Sequence, residues 1–191
     1  MTIAAVDPWT LVETIHGFRA DEIISALQKS IRRGLVENAL MLAYEMTETS
    51  PELEEHLWTR LSVISVEDAG DGSFMEPVIV DALYRMHQRF PRGAFDRFLF
   101  ATHAVRLLAG RSKDRLTDEM ANWVKLAVDG RGARPDIPDV AYDMHTRRGR
   151  EMGRGLEHFL REGAMVANER SGRDTTYRER LLKAIAAGEL K

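Results

Sequence analysis

The chain has 191 residues, 44% of them hydrophobic and 30% charged, with no cysteine; it is long enough for one domain with a substantial core, and disulfides and thiolate metal sites are excluded. The net charge of −3 conceals an asymmetry, because residues 1–130 carry 14 Lys and Arg against 20 Asp and Glu, whereas residues 131–191 carry 13 against 10. Residues 1–8 show no basic segment leading into an apolar run, and no stretch approaches the roughly 18 apolar residues of a membrane span. A soluble cytoplasmic protein with no membrane partner is therefore expected.

Asp7-Pro8 joins an N-cap to a first-turn proline and predicts a short helix closed by Gly17. Asp21 begins a second helix, with Ile23, Leu27 and Ile31 at helical spacing and Gly34 as its stop. A third runs from Val36 to about Thr47 on Ala39, Leu40, Ala43 and Met46. Ser50-Pro51 repeats the cap-and-proline signal and launches a helix that ends at Asp68. Pro77 starts the next, carrying Val80, Leu83, Tyr84 and His87 and stopped by Phe90-Pro91. Two more follow: one over 95–109, and one on Leu116, Met120, Trp123, Val124 and Ala127 with Gly130 after it.

No segment alternates with period 2, so the predicted fold class is all-α: a compact multi-helix bundle over 1–130, with short connections that favour antiparallel neighbours. Two glycines and two prolines interrupt residues 130–142, so 131–191 reads as a linker and a basic Gly/Arg-rich C-terminal extension. Thr176 and Glu179 form a capping-box pair opening a short final helix that stops at Gly188.

The most informative residues end the fourth helix. At 100° per residue Leu53, Leu57, Leu61 and Ile64 share a stripe, and Asp68 falls on it with Glu67 at its edge. Carboxylates there oppose the helix macrodipole, and on the core side they need cations or several N–H donors. Lys29 and Arg32, on the flank of the second helix, are the candidate partners, so Lys29, Arg32, Glu67 and Asp68 are read as a structural lock. A metal site or an acid/base pair at Glu67 and Asp68 is the functional alternative.

Ser25-Ala26-Leu27-Gln28-Lys29-Ser30-Ile31-Arg32 and, further on, Arg60-Leu61 followed by Glu67-Asp68-Ala69-Gly70 resemble, in order and spacing, the C-terminal helical domain of the RarA or MgsA replication-associated recombination ATPases, relatives of clamp loaders. Residues 104–113 add a third match, so the resemblance spans about Asp21 to Gly130. It implies a collar-like domain that assembles subunits, either as a homo-oligomer or by docking onto an ATPase partner, in DNA replication or recombination. The chain departs from that family by having Arg33-Gly34 where the family tends to have Gly followed by a polar residue. It also lacks a G-x-x-x-x-G-K-[ST] phosphate loop; the nearest segment, Ala109-Gly110-Arg111-Ser112-Lys113, has the wrong glycine spacing. ATP hydrolysis is not expected, and no catalytic residue, metal or cofactor is assigned.

Arginine makes up 22 of the 27 basic residues, which reads as compositional bias except where arginines cluster. One cluster stands out: Arg147, Arg148, Arg150 and Arg154, with only Glu151 among them, are the candidate nucleic-acid contacts, and possible DNA binding is expected to be sensitive to salt. Gly149 and Gly153 would share a face if that stretch were one helix; the alternative is a solvated basic face with packed glycines. Asp143, His145, Glu151 and His158 raise a third possibility, a small metal-dependent hydrolase, against which the two histidines lack H-x-x-x-H spacing; capping by Asp143 and ordinary hydrogen bonding by the histidines is the simpler reading.

Overall fold

A computed structural model describes residues 7–69 and 74–190. Residues 1–6, on which part of the leader expectation rests, and Gly70, the last residue of the Glu-Asp-Ala-Gly signature, lie outside these. The described residues form nine α-helices and no strand, with one isolated antiparallel bridge between Glu13 and Arg19. None of the helices is long and apolar enough to cross a membrane. The chain divides into two compact units, Met1–Gly132 and Ala133–Lys191.

In the first unit the opening turn is shorter than its sequence suggests. Asp7 caps the Trp9 N–H, but the 3-10 turn ends at Leu11. Residues 13–19 then fold back as a hairpin-like loop in which Thr14 and Phe18 pair, and Gly17 adopts φ +80. Gly17 therefore serves a tight turn and not a helix end, because only glycine takes that backbone without cost.

Helix α1 (Ala20–Arg32) buries Ile23, Leu27 and Ile31, and it stops where Gly34, at φ +71, lets the Leu35 N–H return to the Ser30 carbonyl. Helix α2 (Val36–Thr49) follows, with Ala39, Ala43 and Met46 buried. In α3 (Pro51–Glu67) the Ser50 hydroxyl accepts the Leu53 N–H at 3.1 Å, and proline occupies a position that needs no donor. Helices α4 (Glu76–His87) and α5 (Phe95–Gly110) pack on each other, α5 packs on α2, and α3 lies against α2 and α4. The core of Leu27, Ile31, Met46, Leu57, Leu61, Ile64, Val105 and Leu108 sits among these five helices, and α6 (Leu116–Lys125) touches α3 without burying a residue. A π-turn, Leu126–Gly130, prolongs α6.

The second unit contains a 3-10 turn at Asp139–Ala141, α7 (Arg147–Glu151), α8 (Leu156–His158), a π-turn at Phe159–Gly163 and α9 (Thr176–Ala186). Thr176 and Glu179 do not make a capping box. Thr175 is the N-cap residue and donates its hydroxyl to Glu179, while Asp174 accepts the Thr176 N–H.

Candidate functional site

Helix α3 places Asp68 one residue past its end, with no exposed surface, and the Asp68 N–H returns to the Ile64 carbonyl at 3.0 Å. Arg32 donates from Nε to Asp68 Oδ1 at 2.6 Å, and from Nη2 to Asp68 Oδ2 at 3.1 Å and Glu67 Oε1 at 3.0 Å. Arg115, just ahead of α6, donates from Nη1 to Asp68 Oδ1 at 2.7 Å and Glu67 Oε1 at 3.3 Å. Gln28 Nε2 reaches Asp68 Oδ2 at 3.0 Å, and Arg60 holds the Gln28 amide from the other side. Four donors thus meet the two oxygens of Asp68, which fills the acceptor capacity of a carboxylate. Burial pushes the Asp68 carboxyl up, but hydrogen bonds from Arg32, Gln28 and Arg115 outweigh it and hold the group below its ordinary value.

Lys29 does not belong to this arrangement. Gln28 and Arg32, four residues apart, share the side of α1 that faces Asp68, whereas Lys29 lies 100° around the helix, is exposed, and bonds the Ser25 hydroxyl. The lock is Gln28, Arg32, Glu67, Asp68 and Arg115. Lys113 closes the neighbouring helix end: its Nζ donates to the carbonyls of Leu108, Ala109 and Arg111 at 2.6, 3.0 and 2.7 Å. Burial lowers its pKa, and the charge of Asp68 opposes that shift.

A second buried carboxylate was not singled out by the sequence. Glu54, 4% exposed, sits in the first turn of α3, where an acid is normally a solvated partner of the helix dipole. Here Arg97 from α5 grips it, Nε to Oε1 at 2.7 Å and Nη2 to Oε2 at 3.3 Å, while Arg92 and His87 approach at 3.5 and 3.8 Å. Arg97 also satisfies the carbonyls of His87 and Phe90 where α4 ends. His87 stacks at 4.6 Å on Trp58, and burial holds its pKa below the ordinary value. The signal was available: Glu54 precedes Trp58 by one turn, on the flank of the Leu53-Leu57 stripe. Two further buried acids follow the same pattern, with Glu45 taking the backbone and ring nitrogens of His16, and Glu76 meeting Arg111 at 3.1 Å.

The arginine-rich segment is shaped by its own contacts. Arg154 is largely buried and donates to the Asp139 and Tyr142 carbonyls at 2.7 and 2.9 Å and to the Asp139 carboxylate at 2.6 Å. Arg148 lies 4.2 Å over the Tyr142 ring, Arg150 donates to the Met144 carbonyl, and Arg147 pairs with Glu151. Arg147, Arg148 and Arg150 remain exposed. Helix α7 ends before Gly153, which turns at φ +72, so Gly149 and Gly153 do not share a helix face. Gly149 instead presses on the Asp143 backbone, where a Cβ would come within 1.9 Å of the carbonyl oxygen.

Asp143 accepts the His145 N–H at 2.9 Å and its ring Nδ1 at 3.0 Å, and these bonds hold the carboxyl below its ordinary value. The cap of α7 is Thr146, not Asp143. Among the described residues no group of three His, Asp or Glu is placed to share a metal ion, so Asp143, His145 and His158 do not form a ligand set. No protein-family model matches this chain, and no curated protein matches it.

Proposed function

We propose that this chain is a non-catalytic helical assembly or accessory protein of DNA replication or recombination, acting by self-association or by docking onto an ATPase partner. The observation that carries this reading is the meeting of its two signature segments. Gln28 and Arg32 from the first bond directly to Arg60, Glu67 and Asp68 from the second, although 32 to 40 residues separate the partners. Residues that recur together in a family for architectural reasons are expected to converge in this way. The chemistry of the pair supports the same conclusion, since a carboxylate whose acceptor positions are all taken by structural donors is poorly suited to moving a proton. Light scattering of the full chain over a range of concentrations tests the self-association arm, and co-purification with a RarA/MgsA-type ATPase tests the docking arm. A protein that is monomeric throughout and ignores such an ATPase would sink the reading.

A second reading, nucleic-acid binding by the segment after residue 143, is favoured by one observation: Arg147, Arg148 and Arg150 keep their guanidinium groups at the surface within a single turn. Arg154 serves the local fold instead. Duplex DNA binding that weakens steeply between low and moderate salt, and that Arg147→Ala with Arg150→Ala reduces, is the expected result. Binding indifferent to salt would contradict it.

A further inference from the structure

Two apolar surfaces on the first unit stand open. Helix α6 carries Leu116, Met120, Trp123 and Val124 along one face, exposed by 54, 58, 56 and 57%. The spacing is that of a helix face meant to be covered, since a helix is held in place chiefly by packing of its apolar face. The other surface is a groove of about 530 Å³ beside α4 and α5, floored by Leu83, Phe90, Leu99 and Phe100.

Their charges run in the same sense along the chain, acidic first and basic last, so the two surfaces complement each other only when antiparallel. At the groove, Asp96 stands at the N-terminal end of α5, His103 at its middle and Arg106 toward its C-terminal end. On α6, Glu119 lies in the first turn, while Lys125 ends the helix and Arg131 follows, its guanidinium 5.0 Å from the Trp123 ring. At a 1.5 Å rise per residue, Asp96 to Arg106 spans about 15 Å and Glu119 to Arg131 about 18 Å. Laid antiparallel to α5, an α6 helix would bring Glu119 to Arg106 and Arg131 to Asp96, with Trp123 and Met120 over the apolar floor. The parallel direction would oppose like charges.

We propose that α6 of one copy docks in the α4–α5 groove of a second copy. Each copy then offers one helix and one groove, so the contact is head-to-tail and propagates until a ring closes. This inference rests on the self-association reading above and names the surfaces that would carry it.

The test uses the full chain with Trp123→Asp, which spoils the helix face, and Leu99→Asp, which spoils the groove. Both positions are exposed, and circular dichroism checks that helicity is kept. Each variant alone is expected to scatter as a monomer, with its half-assembly concentration raised at least tenfold. A one-to-one mixture is expected to give a species of two chains, because each variant retains the surface that the other lacks. Arg106→Glu is expected to weaken assembly, and Glu119→Arg added in the same chain to restore it. If the wild type assembles and both variants keep its mass, or if the mixture stays monomeric, the proposed surfaces are wrong while self-association stands. If the wild type is monomeric at every concentration, the surfaces and the self-association reading fail together.

Discussion

Every buried apolar side chain among the described residues lies between Ala20 and Ala109, whereas residues 133–190 bury none and hold their turns through arginine bonds to carbonyls and one glycine contact. In the first region a core fixes the helices, and buried acids then decide how the helix ends meet. In the second, arginines do locally what a core would otherwise do. The same residue type therefore has different effects in the two places. Arg32 shields a carboxylate that has left water, whereas Arg154 ties together a turn whose acid, Asp139, is 74% exposed.

Removing an acid is the sharpest way to break this comparison. Asp68→Ala removes the buried acceptor shared by Gln28, Arg32 and Arg115, leaving the two arginines only Glu67 and Asp118, and is expected to cost about 3 kcal/mol in urea unfolding, while Asp139→Ala costs less than about 1 kcal/mol. Equal losses would erase the distinction. Truncation of apolar side chains should separate the regions in the same direction. Leu57→Ala, at a fully buried position, is expected to lose about 3 kcal/mol, and Leu181→Ala, 40% exposed, under about 1 kcal/mol.

Gly149→Ala reverses the emphasis, because the added Cβ meets backbone that cannot step aside. Hydrogen exchange is expected to accelerate over residues 143–154 while residues 20–109 keep their protection. Uniform acceleration would mean that the regions unfold as one.

Acid gives the gentlest test. Burial holds His87 below its ordinary value, so the unfolded chain binds a proton that the folded chain resists. Stability is therefore full above about pH 6.5 and declines as pH falls toward the folded-state value of His87. Asp68 is also held low, so its contribution is present above about pH 3.9 and is lost as pH falls through its folded-state value. His87→Gln is expected to reduce, without abolishing, the slope of the upper part of the profile, because burial also holds His56 below its ordinary value, and to leave the lower part unchanged, read as the urea midpoint against pH.

Local chemistry made much of the fold legible. Ser50-Pro51 and Gly34 mark helix limits because capping and left-handed backbone are properties of a few residues and their neighbours. Arg32 was readable as a partner of Glu67 and Asp68 because it and Glu67 lie on helices, and Asp68 directly after one, whose faces the apolar stripes orient. Arg115 was not, since it precedes α6 in a connection that no stripe orients, 47 residues from Asp68. Lys29 misled because its charge suited the acids while its place around α1 did not. Glu54 has a signal in Trp58 one turn on, but it is outweighed because an acid in a first helical turn is expected to face water.

A double-mutant cycle between Arg32 and Asp68 tests the central claim most directly, namely that the acid at the end of α3 is a structural lock. With Arg32→Ala, Asp68→Ala and the double variant compared by urea unfolding at pH 7, a coupling of about 2 kcal/mol is predicted. Additive losses, or an Asp68→Asn variant as stable as the wild type, would contradict it.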